Sequence, residues 1–249
     1  DFLDSFSISL NPQYDSVLQK YSKVLKQRNA LLKSIKEGKA FFEELPLWTE
    51  SLIEAAIPIY QERYRAVALL NQNLPDVYRQ LFHTTEKIRF QYGHRFASDI
   101  SEERSQIENQ LIEKLNQVAV GETATGYTLV GPHKDDLEIF IDDLDCRTYG
   151  SQAQTRGLVI ALKVTQLELS RHHRSWSPLL LLDDIISEFD DHRVHSLVDY
   201  LSQYPGQLFV TTAEINKVKA LHSQFSAFKV IDLSPKSHQD LRFVLEEQA

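Results

Sequence analysis

The run Leu179-Leu180-Leu181-Leu182-Asp183-Asp184-Ile185-Ile186-Ser187-Glu188-Phe189-Asp190 constrains this chain most. Consecutive leucines lead directly into two carboxylates. A short apolar run without alternation suits a strand covered on both faces, the usual state of a parallel sheet. Open α/β sheets bind ligands at the carboxyl ends of their strands, which is where Asp183 and Asp184 would stand. Adjacent buried acids are costly unless a cation or hydrogen-bond donors answer them. A magnesium-bound nucleotide would do so. Taken alone, the stretch also fits a core strand followed by a polar turn.

A second segment bears on that choice. Ser151 precedes Gln152, Ala153, Gln154, Thr155 and Arg156, and beyond them Leu158, Leu162 and Leu169 share one helical face. Ser151 is thus a candidate N-cap of a helix opening at Gln152. The N–H groups and dipole of such an end attract phosphate, although an ordinary capped helix has the same pattern. A small-residue cap, a strand ending in two acids, and the tract Ser187 to Asp190 follow in the order of an ABC-type ATPase. They resemble its signature motif, Walker B strand and D-loop.

The resemblance narrows to the RecF family of bacterial recombination-repair ATPases, relatives of the SMC heads. Gly131-Pro132-His133-Lys134-Asp135-Asp136 resembles a family tract in which arginine usually stands where this chain has Lys134. Phe2-Leu3-Asp4 is similar to the tail of one family signature. The run from Leu181 to Leu197 follows a second, with Phe189 in place of leucine. The implied fold class is α/β, the C-terminal part of an ABC-type (SMC/RecF-like) ATPase head with a mainly helical, coiled-coil-like arm lobe.

The resemblance implies ATP and Mg as cofactors. Asp183 would belong to the magnesium shell, and Asp184 would take the place of the residue that orients the attacking water. Ser151, Gln152, Ala153 and Gln154 would meet ATP bound to the opposite subunit. Ala153 stands where the signature normally has glycine, and Gly157 where threonine is common. Asp190 would lie at the dimer contact, or serve as the N-cap of the next helix, or both. Thr211 and Thr212 occupy the region of a switch histidine, whose absence predicts slow hydrolysis. No G-x-x-x-x-G-K-[ST] loop occurs. The family carries it ahead of the Phe2-Leu3-Asp4 tract, so the chain is expected to be part of a longer protein and inactive alone.

The implied function is that of a DNA replication and repair ATPase with weak, DNA-dependent activity. It would bind duplex DNA near gaps as an ATP-dependent homodimer and help load RecA with RecR and RecO. Alternatives are another SMC-like repair ATPase (OLD or DNA-sulfur-modification type) and a non-catalytic interaction module with vestigial motifs.

Composition sets outer limits. The 249 residues are 42% hydrophobic and 25% charged, ordinary for a globular protein. The lone Cys146 can form no internal disulfide, and no signal-peptide pattern or membrane-length apolar run occurs. A cytoplasmic protein without membrane contact is expected. A formal net charge of -8 means that DNA binding would need a local basic patch. Lys20, Lys23, Lys26, Arg28 and Lys33 offer one, along with Lys36 and Lys39, and a solvated helix face is the plainer explanation. His172 and His173 are adjacent histidines in a polar stretch, which usually bind nothing.

Three regions are expected: 1–9 as a tail of the head's N-terminal portion, 10–122 as the helical arm lobe, and 123–249 as the signature and Walker B part of the head. Asn11-Pro12 should start a helix with Tyr14, Leu18, Tyr21, Leu25, Arg28, Leu32 and Ile35 on a heptad seam that Arg28 alone interrupts. A second helix, from near Pro46 to Leu70, repeats the stepping with Glu62 as the exception and should kink at Pro58. Asn71 to Pro75 reads as a loop and Val77 to Phe82 as a short helix. Residues 87–92 alternate like a strand, and a helix after Ser98-Asp99 has Ile107, Leu111, Leu115 and Val118 on one side. Strands are expected at 127–130, 137–141, 145–149, 179–182, 207–212 and 228–233. Helices are expected at 191–204 and 215–222.

Overall fold

The computed structural model describes residues 2–93, 103–172, 177, 179–184, 189–213, 229 and 231. The chain forms two compact units, Asp1–Arg79 with Thr84–Ser175, and Gln80–His83 with Trp176–Ala249. This division runs differently from a boundary at residue 122. The helical segment and the strands that follow it share the first unit.

The first unit opens with α1 (Phe2–Leu10), which buries Leu3 and Phe6, and α2 (Tyr14–Lys36). On α2 the seam residues Tyr14, Tyr21 and Leu32 are buried, and so is Arg28. Arg28 therefore continues the seam. Its guanidinium pairs with Glu122 at 2.6 Å and donates to Thr128 Oγ1 at 2.8 Å and Thr49 Oγ1 at 3.2 Å. It is removed from the proposed DNA-binding track, because it is 1% exposed.

The helix α3 (Leu45–Phe82) is longer than the sequence predicts. The expected loop at Asn71–Pro75 is helical, and both Pro58 and Pro75 lie inside the element. A proline inside a helix costs ~3 kcal/mol or more. Leu70, Leu74, Val77, Tyr78 and Leu81 are all buried around Pro75. Each such burial contributes on the order of 1.5–3 kcal/mol, so packing outweighs the lost hydrogen bond. The loop-forming asparagines are also used. Asn73 donates to Leu69 O, while Asn71 brackets the main chain of Phe90, accepting from its N–H at 2.7 Å and donating to its carbonyl at 2.8 Å.

Phe90 belongs to β1 (Ile88–Gly93), whose Ile88, Phe90 and Tyr92 point inward as the alternation predicts. The helix α4 (Arg104–Thr125) buries Ile107, Leu111, Leu115 and Glu122, packs against α2, and ends at Gly126 with φ +81°. Next come β2 (Asp136–Ile141) and β3 (Leu144–Asp145), which join β1 in an antiparallel order β1-β2-β3. Asp142 and Asp143 have φ of +49° and +65° between the paired Ile141 and Leu144, as a two-residue primed turn requires.

Two expected strands are corrected here. Tyr127–Val130 is irregular because side chains satisfy its main chain. Asn29 accepts from Thr128 N, Glu122 accepts from Leu129 N, and His133 Nε2 donates to Thr128 O. At 145–149 only Asp145 pairs. Its carboxylate then caps the short helix α5 (Cys146–Tyr149), accepting from Arg147 N at 3.0 Å and Thr148 Oγ1 at 2.8 Å. The unit closes with α6 (Gln152–His172).

In the second unit, β4 (Leu180–Asp183) and β5 (Leu208–Thr211) run parallel, with α7 (Asp191–Ser202) between them in sequence. This is the parallel strand–helix–strand step that the sequence predicts. Coverage on both strand faces is not found among the described residues. Leu180 and Leu182 are buried, whereas Leu179 and Leu181 are exposed. Leu181 faces out beside Phe209, its partner on β5. The segments 185–188 and 215–222, and all of 228–233 but residues 229 and 231, lie outside the described residues. No described helix is long and apolar enough to cross a membrane.

Candidate functional site

Parallel pairing sets Asp183 opposite Thr211 at the carboxyl ends of β4 and β5. The Thr211 hydroxyl donates to Asp183 Oδ1 at 2.5 Å. The next residue, Asp184, turns into the left-handed region with φ +50°. Its N–H donates to both Thr211 Oγ1 at 3.0 Å and Thr211 O at 3.2 Å. A non-glycine residue in that region is uncommon and is found disproportionately at functional sites. One threonine thus fixes both acids, and both are exposed.

The donor chemistry suits magnesium. Asp183 and Thr211 offer hard oxygen atoms, and Mg2+ takes one or two carboxylates with phosphates and water rather than an all-protein cage. Among the described residues no group of three or more His, Cys, Asp or Glu could hold a metal. The side chains of His172 and His173 lie outside the described residues.

Asp190 accepts from Arg193 N at 2.9 Å and is the N-cap of α7. That backbone hydrogen bond, helped by the Arg193 charge, lowers its carboxyl below the ordinary range. The N-cap role is therefore observed; a dimer contact is compatible with it because the carboxylate is exposed.

In the first unit, Ser151 opens α6 through a capping box. Its Oγ accepts from Gln154 N at 3.1 Å, and its own N–H donates to Gln154 Oε1 at 2.8 Å. Gln154 Nε2 also donates to Glu86 Oε1 at 2.6 Å, and Glu86 Oε2 accepts from Tyr78 Oη at 3.1 Å. Gln152 is exposed and Ala153 partly so. The signature segment is thereby tied to the long helix α3. Nothing in the sequence pattern singles out Glu86.

The same unit contains a network that sequence reading missed. Arg63 is 4% exposed. It grips Asp4 with two bonds of 2.9 and 2.8 Å and donates to Tyr92 Oη at 2.9 Å and Pro132 O at 2.7 Å. Asp135 accepts from Tyr60 at 2.9 Å and Tyr92 at 3.2 Å. Arg63 therefore joins Phe2-Leu3-Asp4 to the Gly131–Asp136 tract. Burial opposes its charge, but the bonds to Asp4 and Tyr92 outweigh burial and raise its pKa. Tyr14, Tyr21, Tyr60 and Tyr92 are all raised, burial being the largest cause.

His133 accepts from Tyr21 Oη at Nδ1, at 2.6 Å, and donates from Nε2 to Thr128 O at 3.2 Å, which fits a neutral ring. Burial lowers its pKa. Gly131 has φ +141°, and a Cβ there would lie 2.5 Å from the Tyr21 hydroxyl. Only glycine lets the tract pass this close to α2.

No family profile matches the chain. Curated relatives do. The DNA replication and repair protein RecF of Heliobacterium modesticaldum is 33% identical over 86% of this chain, and that of Gloeobacter violaceus is 36% identical over 87%. A solved structure of the recombination mediator protein RecF with ATP, in the RecFOR pathway, superposes with a TM-score of 0.76 at 28% identity over 86% of the chain. A second RecF structure gives 0.77 at 27% identity over 92%.

The chain belongs to the RecF family.

It spans 57% of the length of both curated relatives and 57–58% of the RecF chains in the solved structures. Its fold is accordingly that of part of an ABC-type head with its helical lobe. The RecF tracts at Asp4 and Pro132–Asp135 are the segments that Arg63 joins.

Proposed function

We propose that the chain supplies the signature and Walker B parts of a RecF-type ATPase, which works as an ATP-dependent homodimer on duplex DNA near gaps. The observation that carries this reading is the Asp183–Thr211–Asp184 arrangement at the carboxyl ends of two parallel strands. Asp183 would hold magnesium, directly or through water, and the ion neutralises phosphate charge when nucleotide is bound. Thr211 aims that carboxylate. Asp184, held by its N–H, would orient the attacking water and take its proton. Because aspartate is shorter than glutamate and Thr212, not histidine, directly follows β5, turnover is slow.

The Ser151 hydroxyl accepts from Gln154 N and still has its own hydrogen to donate. With the helix dipole it favours the γ-phosphate of ATP on a second copy. ATP then clamps two heads, and hydrolysis releases them. Gln152, Ala153 and Gln154 line the same approach, and Asp190 lies toward the partner. The RecF relatives and the RecFOR setting of the similar structures support action with RecR and RecO; that action would load RecA. For DNA, Lys20, Lys23, Lys26 and Lys33 form an exposed basic face on α2 without Arg28.

The test is Asp183→Asn in the protein extended to the length of its relatives. Removing the charge beside the cation should lower ATP turnover at least about tenfold while the fold is kept. Unchanged turnover would make Asp183 structural and defeat the assignment.

A further inference from the structure

The helices α2, α3 and α4 leave between them a solvent-accessible cavity of about 400 Å3, a size that accommodates a few side chains. Its inner surface is apolar, with Leu45, Ile53 and Leu115 buried. Its lip is apolar too, yet exposed: Phe42 is 50% and Ile112 42% accessible. Exposed apolar surface rimmed by polar groups marks interaction sites.

The rim is acidic. Glu50 and Glu54 line it from α3, and Glu108 from α4. Glu50 and Glu54 are four residues apart on one helix face, so their like charges repel. No hydrogen bond or ion pair engages any of these three carboxylates among the described residues. The one cation in the described lining, Arg28, is already used by Glu122, Thr49 and Thr128. The surface thus combines an apolar slot with negative charge that the chain itself does not answer.

We propose that this groove docks a basic amphipathic helix of a partner protein. Apolar side chains at helical spacing enter between Phe42 and Ile112, and flanking Lys or Arg residues meet Glu50, Glu54 and Glu108. A helix lying between two helical walls is a recurring recognition mode. The acidic rim repels nucleic acid, so the surface is separate in function from the lysine face of α2. A second copy of this chain fits poorly. The basic face of α2 is the obvious complement, but α2 exposes no large hydrophobic residue to enter the slot.

The experiment is selection from a phage-displayed library of helix-biased 16-residue peptides, with the Ile112→Asp variant as counter-target. Circular dichroism first checks that the variant folds, as expected for a half-exposed lip residue. The expected result is enriched peptides that are net basic with apolar residues at i, i+3 or i+4, and i+7. Their affinity should fall at least about tenfold in Ile112→Asp, as for loss of a central contact, and also in Glu50→Lys/Glu54→Lys. Recovery of no peptide sensitive to Ile112→Asp would overturn the proposal. So would enrichment of neutral or acidic peptides, or loss of binding when the chain is extended to its relatives' length, which would make the extension the occupant. Concentration-dependent self-association abolished by Ile112→Asp would assign the groove to a second copy, against the proposal.

Discussion

Replacing Arg28 by methionine should destabilise the chain far more than removing any lysine from the same helix. Arg28 and Glu122 are 1% and 0% exposed and 2.6 Å apart. In Arg28→Met the carboxylate keeps only the Leu129 N–H, at 2.8 Å, among its recorded partners. Breaking a buried pair by removing one member costs roughly 3–5 kcal/mol, against a total stability of about 5–15 kcal/mol. The other partners are less affected, since Thr49 still donates to Leu45 O and Thr128 to Asn29. Urea denaturation should therefore show a midpoint lowered by ~1 M or more, with m near 3 kcal/mol/M. Adding Glu122→Gln removes the stranded charge and keeps an acceptor for Leu129 N. The double variant should recover at least about 2 kcal/mol, a coupling of the size expected for residues in direct contact. Lys26→Met, which removes the same charge from the exposed face, should lie within about 0.5 kcal/mol of the parent. Arg28→Met within about 1 kcal/mol of the parent, or singles that simply add, would refute the view that this pair is a buried structural link.

His133 has its pKa lowered by burial from 6.5. The unfolded chain therefore binds a proton that the folded chain refuses, and its contribution is present above about 6.5 and declines as pH falls through that value. Stability measured at pH 7.5 and 5.5 should fall more for the parent than for His133→Gln; equal losses would contradict this. In the full-length protein, Lys26→Glu/Lys33→Glu should weaken duplex binding uniformly across sequences and reduce the salt slope by roughly one unit per phosphate contact. If affinity and slope do not change, α2 carries a solvated face only.

Much of the local structure around the candidate site was legible because local chemistry decides it. Two acids after an apolar run and a serine before a helix-period pattern need few distant partners, and each element lies close to its predicted place. What sequence reading missed depends on contacts between residues far apart. Arg28 reads as a break in a heptad, because only its distant partner Glu122 makes a buried guanidinium affordable. Arg63 has no local signal, since Asp4, Tyr92 and Pro132 reach it from three separate segments. Asn71-Pro75 has the composition of a loop and becomes helix under packing. Tyr127–Val130 has the composition of a strand, yet side chains from α2 and α4 take its hydrogen bonds.

The central claim is that two copies share ATP through Ser151, and it is tested most directly by the ATP-dependent mass of the full-length protein in solution. Light scattering with ATP and Mg2+ should show the parent converting from monomer to dimer. Ser151→Arg, which puts bulk and charge where the partner's γ-phosphate arrives, should stay monomeric while still binding ATP. Ala153→Gly should dimerise as well as the parent or better. A Ser151→Arg protein that dimerises normally with ATP would contradict the account.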